Sequence, residues 1–195
     1  MSFELYLNQE CMDSQTAQEL IQQVKLGNQA AYAELVKRFQ KKIFYLAYRM
    51  TRDFDSADDI AQETFIKAYQ NIHTFKEGYT FYTWLYRICM NLAINYLRRQ
   101  KLFVREQHLD NFEQLVGSQP DESESVLERE ELLENLKREL LNLPVDFRAV
   151  LVLKFYENLS CAEIAGVLKI PLGTVLSRLA RAREELAGRM KTLKR

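Results

Sequence analysis

Thr174, Ser177, Arg178, Arg181 and Arg183 crowd into one short stretch near the end of the chain. Hydroxyls and guanidiniums at helical spacing reach base edges and phosphates in a major groove, so their chemistry is duplex reading rather than bond making. A second group is aromatic and basic. Phe75, Lys76, Gly78, Tyr79, Phe81, Tyr82 and Trp84 lie close together, and Arg87, Asn91, Asn95, Arg98 and Arg99 follow, mostly at helical spacing. Flat rings for unstacked bases, with amides and cations for the phosphates, suit a single-stranded nucleic acid. A third group, Asp58, Asp59, Gln62, Glu63 and Ile66, forms an acidic and amide ridge ending on an isoleucine, which suits a protein partner. Each group has a plainer reading: a solvated basic helix face, aromatic core residues, and acids that only complement a helix dipole.

The elements that must position these residues can be read from the chain. Ser160 followed by Glu163 is a capping box that starts a helix, with Ile164, Ala165, Val167 and Leu168 as its apolar face. Pro171 forbids its continuation and suits the first turn of a second helix, leaving a break of about three residues, as a helix-turn-helix requires. In that second helix Val175, Leu179, Ala182 and Leu186 share one stripe and face the core, which leaves the hydroxyls and arginines outside.

Taken in order, the chain is almost continuously helical. Ser14 caps a first helix that stops at Gly27, and Asn28 opens a longer one to about Met50. Asp55 and Asp58 frame the start of a third, running to about His73 with Ala61, Phe65, Ala68 and Ile72 inside. A connector, Phe75 to Thr80, precedes a helix to about Lys101 that buries Leu85, Ile88, Leu92 and Tyr96 or Leu97. From Leu102 to Ser125 the periodicity fades into linker composition. Helical patterning resumes at Leu127, stops at Leu143-Pro144, and continues from Phe147 to Tyr156 before the helix-turn-helix. The expected fold is all-α: an N-terminal helical domain over residues 1–101, a linker over 102–125, and a C-terminal four-helix unit over 126–195.

With 195 residues, 47% hydrophobic and 28% charged, the chain is an ordinary globular protein, and six Gly and three Pro favour long helices over a turn-rich β architecture. No apolar run approaches the roughly 20 residues that span a bilayer, and the start lacks a signal-peptide pattern, so the expectation is a cytoplasmic protein without membrane insertion. Cys11, Cys89 and Cys161 are too scattered for a disulfide framework or a zinc site. An EF-hand would need glycine where Asp58 stands and glutamate where Thr64 stands, so no metal or other cofactor is expected. Formal net charge is zero, but it is segregated: acids dominate between Glu106 and Glu134, whereas Arg98, Arg99, Lys101 and Arg105, and then the tail beyond Lys169, are basic.

Three stretches carry a family resemblance: ADDIAQETFIKAY at 57–69, FYTWLYRICMNLAINYLRR at 81–99, and EIAGVLKIPLGTVLSRLARAREEL at 163–186. Together they resemble the extracytoplasmic-function class of bacterial sigma factors. The resemblance implies a non-enzymatic initiation factor that binds core RNA polymerase and directs it to promoter DNA, with an anti-sigma factor as a further partner. It implies that Asp58, Asp59, Gln62, Glu63 and Ile66 dock on the polymerase clamp. Phe75, Lys76, Gly78, Tyr79, Phe81, Tyr82 and Trp84 would hold a flipped −10 base, and Arg87, Asn91, Asn95, Arg98 and Arg99 would contact that element and its upstream edge. Thr174, Ser177, Arg178, Arg181 and Arg183 would address the −35 duplex. Leu176 stands where members often carry a basic or polar residue, and Lys76-Glu77 where an Arg-Gly pair is common.

Two other readings compete. A stand-alone helix-turn-helix regulator would bind its operator without polymerase and would usually dimerise, yet nothing here reads as a dimerisation helix or effector pocket. A small acid-using hydrolase would need more than His73 and His108, which stand alone without a nucleophile pair.

Overall fold

The computed structural model describes residues 17–76, 80–107, 135–136 and 138–193. Among them every regular element is helical, as the periodicity and the scarcity of glycine and proline require. The expected Ser14 cap, Gly78, Tyr79, most of the acidic segment and the start of the helix expected at Leu127 lie outside the described residues.

Helix α1 covers residues 17–25 and buries Ala17, Ile21 and Val24. It ends at Gly27, whose φ of 92° is left-handed backbone that glycine adopts without steric penalty. Asn28 then caps α2 (Gln29–Thr51), its side-chain oxygen accepting from the amides of Ala30 and Ala31. Leu35, Ile43, Leu46 and Met50, spaced for one helical face, are wholly buried.

The third helix, α3 (Phe54–Asn71), begins earlier than expected. Asp53 is its cap, accepting from the Ser56 amide at 2.8 Å, and Asp55 sits in the first turn while Asp58 lies a turn further on. The expected inner stripe of Ala61, Phe65, Ala68 and Ile72 is buried, and a short 3-10 turn (Ile72–Thr74) closes the element.

The fourth helix, α4 (Phe81–Gln107), runs through the expected boundary at Lys101 and into the segment read as linker. Its buried stripe also differs. Leu85 and Leu97 are buried as expected, but Tyr86, Cys89, Met90, Ala93 and Ile94 fill the space between them, and Ile88, Leu92 and Tyr96 are only half-buried. The reason is that α4 is covered on more than one side, packing on α2 and α3 and also on the helices at Val145–Phe155 and Cys161–Leu168, so a single stripe underestimates its buried face.

A helical segment at 138–142, α5, leads to Pro144 and α6 (Val145–Phe155). Every residue from Arg148 to Leu153 is buried, so α6 is the central helix of the C-terminal half. Then come α7 (Cys161–Leu168) and α8 (Leu172–Leu193), in which Val175, Leu179 and Ala182 are buried. Between them Lys169 takes a left-handed φ of 53°, which turns the chain before Pro171. Ser160 and Glu163 make the reciprocal capping box in full.

Candidate nucleic-acid interface

The outward side of α8 follows from its inward side. With Val175, Leu179 and Ala182 fixed in the core, Ser177 and Arg181 project away from it and are exposed, as is Arg183. Thr174 is half-buried on one flank, and Ser177 Oγ donates to its carbonyl at 3.1 Å. Arg183 lies with its guanidinium 5.2 Å from the ring centre of Phe155. Arg178 stands apart from the others. It is half-buried on the flank that faces the N-terminal half, 3.6 Å from the Asp146 carboxylate. The same Asp146 oxygen accepts from Arg98 of α4 at 3.0 Å.

The aromatic group divides. Phe75 and Phe81 are 4% and 5% exposed, because two wholly apolar rings find more contact against Phe39 and each other than water offers. They therefore back Trp84, which packs 5.6 Å from Phe75 and 5.7 Å from Phe81, and do not themselves present open faces. Lys25 fixes the connector from behind, donating to the Phe75 carbonyl at 3.0 Å. Tyr82 is half-buried, and its hydroxyl donates to Glu163 at 3.2 Å. Lys76, Asn91, Asn95, Arg98 and Arg99 are exposed and Arg87 is half-buried.

Trp84, Arg87, Asn91, Asn95 and Lys76 line one open groove of about 1010 Å³ between α3, α4 and α7. Lys67 and Asn71 form another wall, and Glu163 and Lys169 of the helix-turn-helix the third. Ring, amides and a surplus of cations therefore meet in a space large enough for an unstacked base with its sugar and phosphate. Arg98 and Arg99 are not part of this wall. Periodicity placed Arg98 on the same helix face but gave no hint of Asp146, which lies 48 residues further along the chain.

The acidic ridge is laid out as its spacing predicts. Asp58, Asp59, Gln62, Glu63 and Ile66 are all exposed on α3, Ile66 at 58%. Gln62 donates to Asp58 at 2.8 Å, and Lys67 stands 3.3 Å from Glu63.

Two further polar clusters escaped the sequence reading. Glu157 is nearly enclosed between the halves, where it receives Arg49 of α2 and, at 2.6 Å, the Tyr86 hydroxyl of α4. Burial, and then the neighbouring carboxylate, push the Tyr86 hydroxyl far above its usual range. Arg148 is buried on α6, donating to the Met50 carbonyl at the end of α2 and to the Leu141 carbonyl. Burial lowers its guanidinium to about 10.

Comparison with known proteins settles the family. Residues 35–103 match the model of sigma-70 region 2, and residues 133–186 match that of sigma-70 region 4. The ECF RNA polymerase sigma factor SigW of Bacillus subtilis is 40% identical over 182 residues, which cover 89% of this chain and 96% of that protein. The chain belongs to the ECF sigma factors. The RNA polymerase sigma-H factor of Pseudomonas aeruginosa is 38% identical over 175 residues, covering 87% of this sigma factor and 91% of that one. Two solved structures share the fold at 24% identity. One is the sigma factor RpoE in complex with the anti-sigma factor NepR from Bartonella quintana, with a TM-score of 0.63 over 82% of this chain and 96% of that one. The other is CnrH in complex with the cytosolic domain of CnrY, with a TM-score of 0.61 over 91% and 98%. Among the described residues of this sigma factor, no helix is long and apolar enough to cross a membrane, and no cluster of His, Cys, Asp or Glu could hold a metal ion.

Proposed function

We propose that this ECF sigma factor directs promoter-specific initiation through two separate readings of DNA. The exposed face of α8, with Ser177, Arg181 and Arg183, enters the −35 major groove, and Thr174 and Arg178 flank it. The groove between α3, α4 and α7 receives an unstacked base of the −10 strand on Trp84, with Lys76, Arg87, Asn91 and Asn95 around it and Arg98 and Arg99 tracking the backbone upstream. Phe75 and Phe81 hold Trp84 in place, and Tyr82 borders the same space. The ridge of Asp58, Asp59, Gln62, Glu63 and Ile66 docks on core polymerase. The N-terminal helices through α4 and residues 126–195 act as the two modules on either side of the acidic segment.

The observation that carries this reading is the convergence of a propped tryptophan, amides and cations on one groove, beside a helix-turn-helix that exposes Ser177, Arg181 and Arg183. Duplex edges are read without distortion, whereas a flipped base costs a few kcal/mol of unstacking that a fitted pocket offsets. Such a role needs no catalytic centre and belongs in the cytoplasm. An anti-sigma factor that covers either DNA-binding surface is the regulatory partner the reading implies.

Run-off transcription with core polymerase tests it. Specific transcripts appear only when the chain is added; identical initiation in its absence contradicts the reading.

A further inference from the structure

The α8 surface that leaves the core has two adjacent ridges. Gly173, Ser177 and Arg181 form one, at intervals of four; Leu172, Leu176 and Ala180 form the other, also at intervals of four. All six are exposed, with Leu172 at 48% and Leu176 at 52%. Single exposed leucines are ordinary on a protein surface. An unbroken apolar ridge beside the hydrogen-bonding ridge of a recognition helix is not accounted for by phosphate contact or by core packing, since Val175, Leu179 and Ala182 already fill the inner face.

We infer that Leu176, flanked by Leu172 and Ala180, is a specificity-determining residue that reads thymine C5-methyl groups in the −35 duplex. This rests on the assignment of α8 to the −35 major groove. Thymine offers an acceptor, O4, and directly beside it an apolar methyl, so a paired polar and apolar ridge matches its edge; no other base carries that combination. Cations determine the occupant. Arg181 follows Ala180 at the polar edge of this ridge, Arg183 lies two turns beyond Leu176 on the same side, and Lys169 precedes the helix, all exposed. A polyanion matches this surround, and an apolar protein segment does not. Leu176 discriminates T·A from C·G and from uracil by burying the methyl, while Ser177 and Arg181 fix the register of the helix.

The test uses holoenzyme formed with core polymerase and the −35 element it selects from a random promoter library. Each thymine of that element is replaced singly by deoxyuridine, which removes the methyl and keeps every hydrogen-bonding group. For the parent chain, at least one replacement weakens promoter binding by about fourfold, the value expected when one methyl is buried (about 0.8 kcal/mol). In Leu176→Ala holoenzyme the penalty at that position disappears, while the selected bases elsewhere stay the same. Because Leu176 is half-exposed and alanine is a good helix former, the variant keeps its fold, and assembly with core polymerase is measured in parallel. An unchanged deoxyuridine penalty in Leu176→Ala, no penalty at any thymine, or a selected element without thymine overturns the inference. So does a variant whose defect lies in core assembly. A chain that directs no transcription at all would defeat the wider reading instead, and run-off activity of the parent separates the two failures.

Discussion

Arg98 on α4 and Asp146 at the start of α6 stand 3.0 Å apart, and the carboxylate oxygen that joins them also receives Arg178 of the recognition helix at 3.6 Å. One acid thus occupies a cation from each of the two surfaces proposed to read DNA. The three side chains remain partly exposed, so the cluster contributes about 0–1 kcal/mol to stability, and under the proposed function its greater effect is on DNA binding.

Asp146→Ala therefore strengthens binding of the free chain to non-specific duplex, with little change in melting temperature. Fluorescence anisotropy across a salt series should show the log–log slope steepening by about one for each arginine newly engaged on a phosphate. Equal slopes for variant and parent would show that neither arginine is withheld by Asp146.

The enclosed carboxylate of Glu157 has a larger structural effect. Glu157→Ala leaves Arg49 and the Tyr86 hydroxyl without their partner and destabilises the protein by about 1–3 kcal/mol, read as a lower urea midpoint. Tyr86→Phe keeps the ring packing and is milder, about 1 kcal/mol.

That pair also has a pH signature. The folded protein holds the Tyr86 proton more tightly than an unfolded chain, whose tyrosines titrate near 10.0, so this stabilisation is complete below about pH 10 and is lost as pH rises toward the folded value. Urea unfolding from pH 8 to 11 should show the parent losing stability faster than Tyr86→Phe above pH 10. Parallel curves would mean that the hydroxyl is not held in this way.

At the acid end the sign reverses. Burial acts to raise the Glu163 carboxyl, but hydrogen bonds from Ser160 and Tyr82 outweigh it and leave the pKa below the usual range. Its contribution is present above the ordinary carboxylate range and is lost as pH falls through the folded value. Ser160→Ala costs about 0.5–2 kcal/mol near neutrality, and its deficit in thermal melts should shrink as pH falls below the ordinary carboxylate range and Glu163 protonates. A deficit that stays constant once Glu163 is protonated would contradict the Glu163 carboxylate's half of the capping box as a contributor.

Much of this organisation could be read from residue order because it depends on local rules. Asn28, Gly27, the Ser160–Glu163 box and the stripe of Val175, Leu179 and Ala182 are decided within a turn or two of helix. At the start of α3 residue type alone does not decide the cap: Asp55 falls in the first turn, and Asp53 just before it has the extended backbone that lets its side chain accept from Ser56. The inner face of α4 and the burial of Phe75 and Phe81 depend on what packs across from them, which periodicity does not reveal. Asp146, Arg148 and Glu157 were invisible for the same reason: their partners lie 48, 98 and 108 residues away in sequence.

The division of labour between groove and recognition helix is tested most directly by permanganate footprinting of holoenzyme on its promoter, comparing the parent with Trp84→Ala and Arg181→Ala. Trp84→Ala should retain −35 occupancy and lose the reactive −10 thymines, while Arg181→Ala should reduce occupancy and bubble together. A normal −10 bubble with Trp84→Ala at full promoter occupancy would contradict the groove as the site that holds the opened strand.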